Sequence, residues 1–386
     1  MGPLHGFRII ELAGLGPGPF CGMMLADMGA TVIRVDRPGS SFINLDRDPQ
    51  LRNRQSICID LKSPQGVEVL LKLAEGADAL FEGFRPGVAE RLGFGPGDCQ
   101  ARNPRLVYGR ITGWGQTGPL AHTAGHDINY IALSGALHAI GKKGEKPLPP
   151  LNLLGDFGGG GMLLAFGILC ALLETSRSGK GQVVDAAMLD GTITLMAMFH
   201  AFRAAGQFDE QTGTHFLSGA AHFYDTYETR DGKFLAVGAL EPQFYRQLLE
   251  ITGLGESELA GAGFNPAPGR MDASAWPAFK QQLAAAIKQK TREEWCQLFD
   301  GTDACVSPVL TTTEASRHPH NIARGNFIEV AGVLQQAPAP RFNRTPGIKP
   351  KAPRKPGADS RSLLAEAGYS PAEIDALLAS GTVEAE

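Results

Sequence analysis

The sequence predicts an α/β protein, with a mostly parallel sheet covered by helices and a smaller α+β domain beside it. Three observations carry this. Strand-like and helix-like patterns alternate through the first half of the 386 residues. The helical stretches begin near Pro and stop at Gly, as helix ends do. After residue 220 the alternation gives way to a hairpin pattern followed by helices.

Taken in order, "FRIIELA" reads as a strand and "PFCGMMLADMG" as a helix with a Gly stop. "TVIRVD" is the second strand. "PQGVEVLLKLAEGA" is a helix, with Pro64 near its start and Gly76 near its end. "DALFEGF" and "RLVYGRITGW" are further strands, giving the β-α-β rhythm of a parallel sheet. Residues 126–137 and 156–175 are apolar and helical, "GQVVDAAM" returns to strand, and "LDGTITLMAMFHAFRAA" to helix. Residues 205–220 have no periodicity and read as a linker. Beyond it, "FYDTYETRDGKFLAVGAL" is a hairpin turning at Asp231-Gly232, a favoured hairpin dipeptide. Helices follow near 241–252, 274–288 and 292–300, then a proline-rich crossing segment over 333–358. "SPAEIDALL" closes the chain as a helix, with Ser370 as N-cap, Pro371 at the first helical position and Glu373 completing a capping box.

Composition bounds the function. The chain is 43% hydrophobic and 20% charged, enough for a sizeable core. A net charge of −4 gives no reason to expect nucleic acid. No apolar run reads as long enough to span a membrane. The opening "MGPLHGFRIIELAG" lacks a basic stretch followed by an apolar one, and the closing "TVEAE" matches neither the peroxisomal nor the ER-retention signal, so a cytoplasmic location is expected. The six cysteines form no C-x-x-C pair and suggest neither a disulfide framework nor zinc. No metal is expected.

"ELAGLGPGPFCGMMLADMGATVIRVD" has the outline of a dinucleotide-binding turn: strand, Gly-rich turn, helix, then a strand ending in Asp36. It is a poor copy. Counting from Gly16, Cys21 occupies the third Gly position, and Pro17 and Pro19 remove backbone donors that a pyrophosphate needs. A tight strand-to-helix turn is the better reading. Arg37, Arg52, Arg54, Lys62, Arg85 and Arg91 cluster near strand ends or loops. They are either solvated surface charge or contacts to a phosphorylated ligand outside the carboxyl ends of the strands.

The chemistry concentrates in "GHDINYIALSG". Asp127 is a plausible N-cap, with Tyr130 three residues on, and a helix N-terminus presents free N–H groups that stabilise an oxyanion. His126 titrates near ~6.5 when unperturbed, which suits acid–base work. The alternative is that Asp127 caps while His126 packs. "LNLLGDFGGGGMLLAFG" repeats the design, with Asp156 at the mouth of a long apolar helix. Apolar neighbours Leu153, Leu154 and Phe157 favour a raised carboxyl pKa. Gly158–Gly161 allow another group, a neighbouring helix or a ligand, to approach the backbone. Glu241 in "VGALEPQFY" stands where a strand meets a helix, either as a cap or as a carboxylate that orients a His ring.

"GHDINYIALSG", "PLNLLGDFGGGG", "SGKGQVVDAAMLDG" and "VGALEPQFY" closely resemble the α-methylacyl-CoA racemase family, within the family III CoA-transferase fold group. "ELAGLGPGPFCGMMLADMGATVIRVDRPG", "DACVSPVL" and "LLAEAGYSPAEIDALL" fit the same family, so the resemblance runs from about residue 4 to residue 380. It implies a Rossmann-like, CoA-binding large domain over 1–204 to which 333–386 return, a linker at 205–220, a small α+β domain over 221–332, and an interlocked homodimer. It implies a two-base 1,1-proton transfer between the (2R) and (2S) epimers of a 2-methylacyl-CoA thioester, with His126 and Asp156 as the bases. Backbone N–H groups at Asp127 would hold the enolate oxygen, and Glu241 of the partner subunit would hydrogen-bond His126. Arg37, Lys62, Arg85, Arg91 and Tyr130 fall where the family contacts coenzyme A, which is part of the substrate; no separate cofactor is implied. Met188, Met196 and Met198 are compatible with a pliable acyl surface or with ordinary core. The family's transferase branch uses an Asp at the position of Asp156 as nucleophile and generally lacks a histidine at that of His126; the histidine here favours the racemase.

Overall fold

Seven strands form the sheet that organises the first of two units. β1 (Arg8–Leu12), β2 (Thr31–Asp36), β3 (Arg54–Ile59), β4 (Ala79–Glu82), β5 (Val107–Thr112) and β6 (Val183–Ala187) run parallel. The last strand of the chain, β12 (Val383–Glu384), pairs antiparallel with β3, giving the order β12-β3-β2-β1-β4-β5-β6. In this computed structural model residues 1–39, 47–265 and 272–386 are described. The first unit comprises Met1–Ser134, Leu151–Leu195 and Ile322–Glu386, and the second Gly135–Pro150 and Met196–Asn321.

The strands of the first unit read as apolar runs because both faces are covered. Side chains alternate across the sheet. Ile10, Ile33, Ile57 and Leu80 pack with Leu70 and Leu363 on one face. Ile9, Val32 and Phe81 pack with Leu25, Leu164 and Ile168 on the other. Helix Pro17–Asp27 follows β1 through Gly16, which adopts φ 69°, a left-handed value that favours glycine.

β3 is not legible in "RNRQSICID", whose basic residues suggest an exposed stretch. Arg54 is instead buried in a 2.9 Å ion pair with Glu11, and Arg52 in a 2.5 Å pair with Asp27. The two arginines counted among possible phosphate contacts are therefore consumed inside the fold. Gly22 of helix Pro17–Asp27 makes room for the Glu11–Arg54 pair, which any Cβ there would strike.

One expectation about the apolar runs is overturned. A π-helical segment, Leu153–Gly161, continues without a break into helix Met162–Ser178. The combined 26 residues contain an 18-residue window of mean hydropathy 1.8 and are long and apolar enough by length and composition to cross a membrane. In the fold one side of this helix is core, with Leu164, Ala165, Ile168 and Leu172 buried. The glycine run serves helix neighbours. A Cβ on Gly159 would lie 2.8 Å from the Thr192 backbone N, and one on Gly161 2.7 Å from the Pro17 carbonyl O.

In the second unit β7 (Tyr224–Glu228), β8 (Phe234–Gly238) and β9 (Val306–Pro308) form an antiparallel sheet. The hairpin turns through Asp231 and Gly232, the latter at φ 74°. Helices Pro242–Thr252, Trp276–Ile287 and Arg292–Phe299 bury Leu248, Leu283 and Trp295 against it. The division of the chain departs from the expected boundaries for a packing reason. Phe199 and Phe202 of helix Ala197–Ala204 pack on His215, and Thr212 Oγ1 donates to the His138 carbonyl at 2.8 Å. Residues 196–204 and 135–150 thus join the second unit, and the segment read as a linker is part of its packing.

A second hairpin, β10 (Phe327–Val330) and β11 (Val333–Gln336), lies in the first unit. The proline-rich segment after it is fastened by Asn53, whose Oδ1 accepts the Lys351 N–H at 2.7 Å. Helix Pro371–Ala379 begins with the expected cap: the Ser370 N–H donates to Glu373 Oε2 at 2.7 Å.

Candidate active site

The strand order reverses between β1 and β4, and at such a switch point the loops leaving the carboxyl ends splay apart. A cleft of about 620 Å³ opens there. Its walls are the loops after β1 (residues 13–18), after β4 (83–86) and after β5 (113–126), together with Tyr130, Asp156 and Met188.

His126 stands at the N-cap of helix Asp127–Leu133, with extended backbone and an exposed side chain in the cleft lining. Its own N–H donates to Asn129 Oδ1 at 3.0 Å, so Asn129 closes this cap. Asp127 is therefore not the N-cap, as its sequence position suggests, but the first helical residue. Its buried carboxylate turns to the other helix mouth, where Oδ2 accepts the Gly155 N–H at 2.6 Å and the Asp156 N–H at 2.8 Å. The Asn129 N–H donates to the His126 carbonyl at 2.8 Å, and the Asp127 and Ile128 N–H groups that open helix Asp127–Leu133 have no partner within it.

Asp156 is half-buried in the lining, and Asn152 Nδ2 donates to its Oδ2 at 3.1 Å. Burial raises its pKa, the neighbouring Asp127 charge adds to the rise, and the Asn152 hydrogen bond and His126 oppose it. Gly16 closes on this carboxylate: a Cβ there would lie 3.2 Å from Oδ2. Phe157 packs on Phe20 with ring centroids 4.9 Å apart, covering the apolar side of the turn.

Tyr130 presents its ring to the cleft and packs edge-on against Trp114 at 4.8 Å. Its hydroxyl donates to the carbonyl of Gly125, the residue before His126, and burial pushes its pKa up to about 12. Arg85 is exposed and lines the cleft. Arg37, Lys62 and Arg91 are exposed, and they are not among the residues that line it. Met188 lines it, while Met196 and Met198 belong to the second unit. Glu241, exposed, is the N-cap of helix Pro242–Thr252 in the second unit. Among the described residues no group of three or more His, Cys, Asp or Glu is arranged to hold a metal ion.

The sequence reading missed Gly16 and Glu82 as parts of this site. The signal for Gly16 lies in "GLGPG", the tight strand-to-helix turn, whose place beside a carboxylate no local pattern reveals. Glu82 ends β4; its Oε2 accepts the Phe84 N–H at 2.5 Å while Oε1 accepts from Arg110 at 3.0 Å. That pair fixes the start of the loop that carries Arg85.

Residues 4–360 match the family model for CoA-transferase family III. The chain belongs to CoA-transferase family III. Among similar members, this family III chain is 48% identical to a mouse α-methylacyl-CoA racemase over 99% of its length and 98% of the relative's. It is 47% identical to the human α-methylacyl-CoA racemase, over 96% and 95% of the two chains. A solved structure of a CAIB/BAIF family protein from Brucella suis, 25% identical, superposes with a TM-score of 0.81 and covers 95% of this chain and 99% of that one. In this family III chain the cleft thus brings together one imidazole, His126, two carboxyl groups of raised pKa, Asp156 and the Arg110-paired Glu82, and one helix N-terminus.

Proposed function

We propose that the protein interconverts the (2R) and (2S) epimers of 2-methylacyl-CoA thioesters by a two-base 1,1-proton transfer. The observation that carries this is the presence of His126 and Asp156 in the lining of one cleft, in a chain whose relatives at 47–48% identity are named α-methylacyl-CoA racemases. The thioester acidifies the proton at C2. One base takes that proton, and the C–H electron pair moves onto the thioester oxygen as an enolate. The conjugate acid of the other base then protonates C2 from the opposite face. The free N–H groups that open helix Asp127–Leu133 stabilise the enolate oxygen. A carboxyl pKa lifted toward neutrality makes Asp156 a better-matched proton acceptor and donor than an ordinary aspartate.

Coenzyme A is held as part of the substrate, with Arg85 and Tyr130 at the cleft wall and Arg37, Lys62 and Arg91 reaching its charged portion. No further cofactor takes part. The active unit is a homodimer in which Glu241 of the partner subunit orients His126. The exposed apolar stripe on helix Met162–Ser178 supports the second copy: Met162, Phe166, Leu169 and Leu173 fall on one face and are 38–65% exposed.

The test incubates one 2-methylacyl-CoA epimer in D₂O without an acceptor acid. Deuterium at C2 and appearance of the second epimer are expected. Absence of both, with CoA exchange onto an added carboxylate, would establish a transferase with Asp156 as nucleophile instead. His126→Ala and Asp156→Ala are each expected to reduce interconversion by at least ~10²-fold, the lower range for loss of a general acid–base. Near-normal turnover by either variant rejects the two-base assignment.

A further inference from the structure

We infer that the carboxylate of Asp127 is the positioning residue for Asp156, fixing both the place and the charge state of that group; this rests on the racemase reading above. Three observations point to it. The cap at His126 is closed by Asn129 and not by the Asp127 side chain. Its Oδ2 instead takes the N–H groups of Gly155 and of Asp156 itself, the two consecutive donors that carry the second base. Gly155 leaves the space for this clamp, since a Cβ there would lie 2.5 Å from the same oxygen.

The result is a short mechanical link. The residue bonded covalently to His126 grips the backbone of Asp156, so the two candidate bases are held by one side chain across 29 residues of sequence. The segment that receives the grip, Leu153–Gly161, is π-helical. Its wider turn departs from regular helix, as such segments do at functional sites.

The same carboxylate acts through its charge. Asp127 is 6% exposed, and its Oδ1 is buried with no hydrogen-bond partner among the described residues. Water therefore screens this negative charge poorly, and it opposes ionisation of Asp156. The other titratable groups facing Asp156 are His126, which favours its ionised form, and Tyr130, neutral through the working range; Asn152 contributes a neutral donor.

Two substitutions separate grip from charge. Asp127→Asn retains an oxygen that can accept both N–H groups but carries no charge. Asp127→Ala removes both. In substrate-free protein carrying carboxyl-¹³C aspartate, with Asp156→Asn to assign the signal, Asp156 is expected to titrate at lower pH in Asp127→Asn than in the wild type. The acid limb of kcat moves the same way. Asp127→Ala is expected to lose ~10²-fold in kcat with KM nearly unchanged, the effect of an ångström-scale misplacement of a base. A titration midpoint identical to wild type in Asp127→Asn overturns the inference, as does wild-type kcat in Asp127→Ala; should the alanine variant not fold, the asparagine titration decides. The titration needs no substrate, so it stands or falls separately from wild-type epimer interconversion, whose absence would reject the racemase reading.

Discussion

Asp156 illustrates how little of a site is a matter of residue identity. An aspartate at a helix mouth is an ordinary cap. Here the raised pKa comes first from burial and then from a second carboxylate whose sequence position, 29 residues earlier, gives no hint that it turns toward it. The shift is also a statement about stability. The folded-state pKa lies above the unfolded one, so folding is penalised once the pH exceeds the folded pKa, and the penalty fades as pH falls toward the ordinary aspartate value of about 3.9. Asp156→Asn is therefore expected to unfold at a higher temperature than the wild type at pH 7, with the gap closing below about pH 4. Thermal unfolding followed across that range checks it; a lower Tm at pH 7 would mean that attraction to His126 outweighs burial. His126 and Asp156 stand out as candidate bases in "GHDINY" and "LLGDFGGGG", and both line the cleft, whereas the direction of the Asp127 side chain is not legible there.

At the scale of elements, glycine decides which helices can meet. Helix Met188–Leu195 crosses the π-helical segment so closely that a Cβ on Gly191 would overlap the Gly159 carbonyl oxygen. Gly to Ala in an open helix interior stabilises by about 1 kcal/mol. At Gly191 the obstacle is backbone, which cannot rotate away, and overpacking of this kind costs typically 1–3 kcal/mol and sometimes more. The second term wins, so Gly191→Ala is expected to lower the denaturant midpoint while leaving the m-value unchanged, as measured by urea unfolding. An increase in midpoint would show that the two segments separate at little cost. The sequence announced an expensive glycine run and left its purpose open between a helix and a ligand; three-dimensional packing chose the helices. β3 was hidden for a related reason. Arg54 at its start and Arg52 just before it look solvent-facing in one dimension, yet their partners Glu11 and Asp27 come from other elements.

For the molecule as a whole, the exposed stripe Met162, Phe166, Leu169 and Leu173 is the surface feature with the clearest consequence. These residues recur at helical spacing opposite the buried Leu164, Ile168 and Leu172. The same helix that passes for a membrane span by composition is thus apolar on two sides, one used in the core and one exposed. Under the proposed homodimer, the wild type is expected to sediment as a dimer in analytical ultracentrifugation, and replacing Phe166 and Leu173 together by Asp is expected to give a monomer. An unchanged mass would move the dimer interface elsewhere.

By itself the sequence determined the parallel α/β core, the hairpin at Asp231-Gly232, the closing capped helix and the pair of candidate bases. Those features rest on local rules: periodicity, turn residues, capping and short motifs that neighbouring residues satisfy together. Only the tertiary structure decided that Asp127 grips Asp156, that Arg52 and Arg54 are interior ion-pair partners, that Gly16 closes on the carboxylate, and that 135–150 and 196–204 join the second unit. In each case the partner lies many residues away, and burial, which turns a charged side chain from a surface group into a structural one, is a property of the assembled fold.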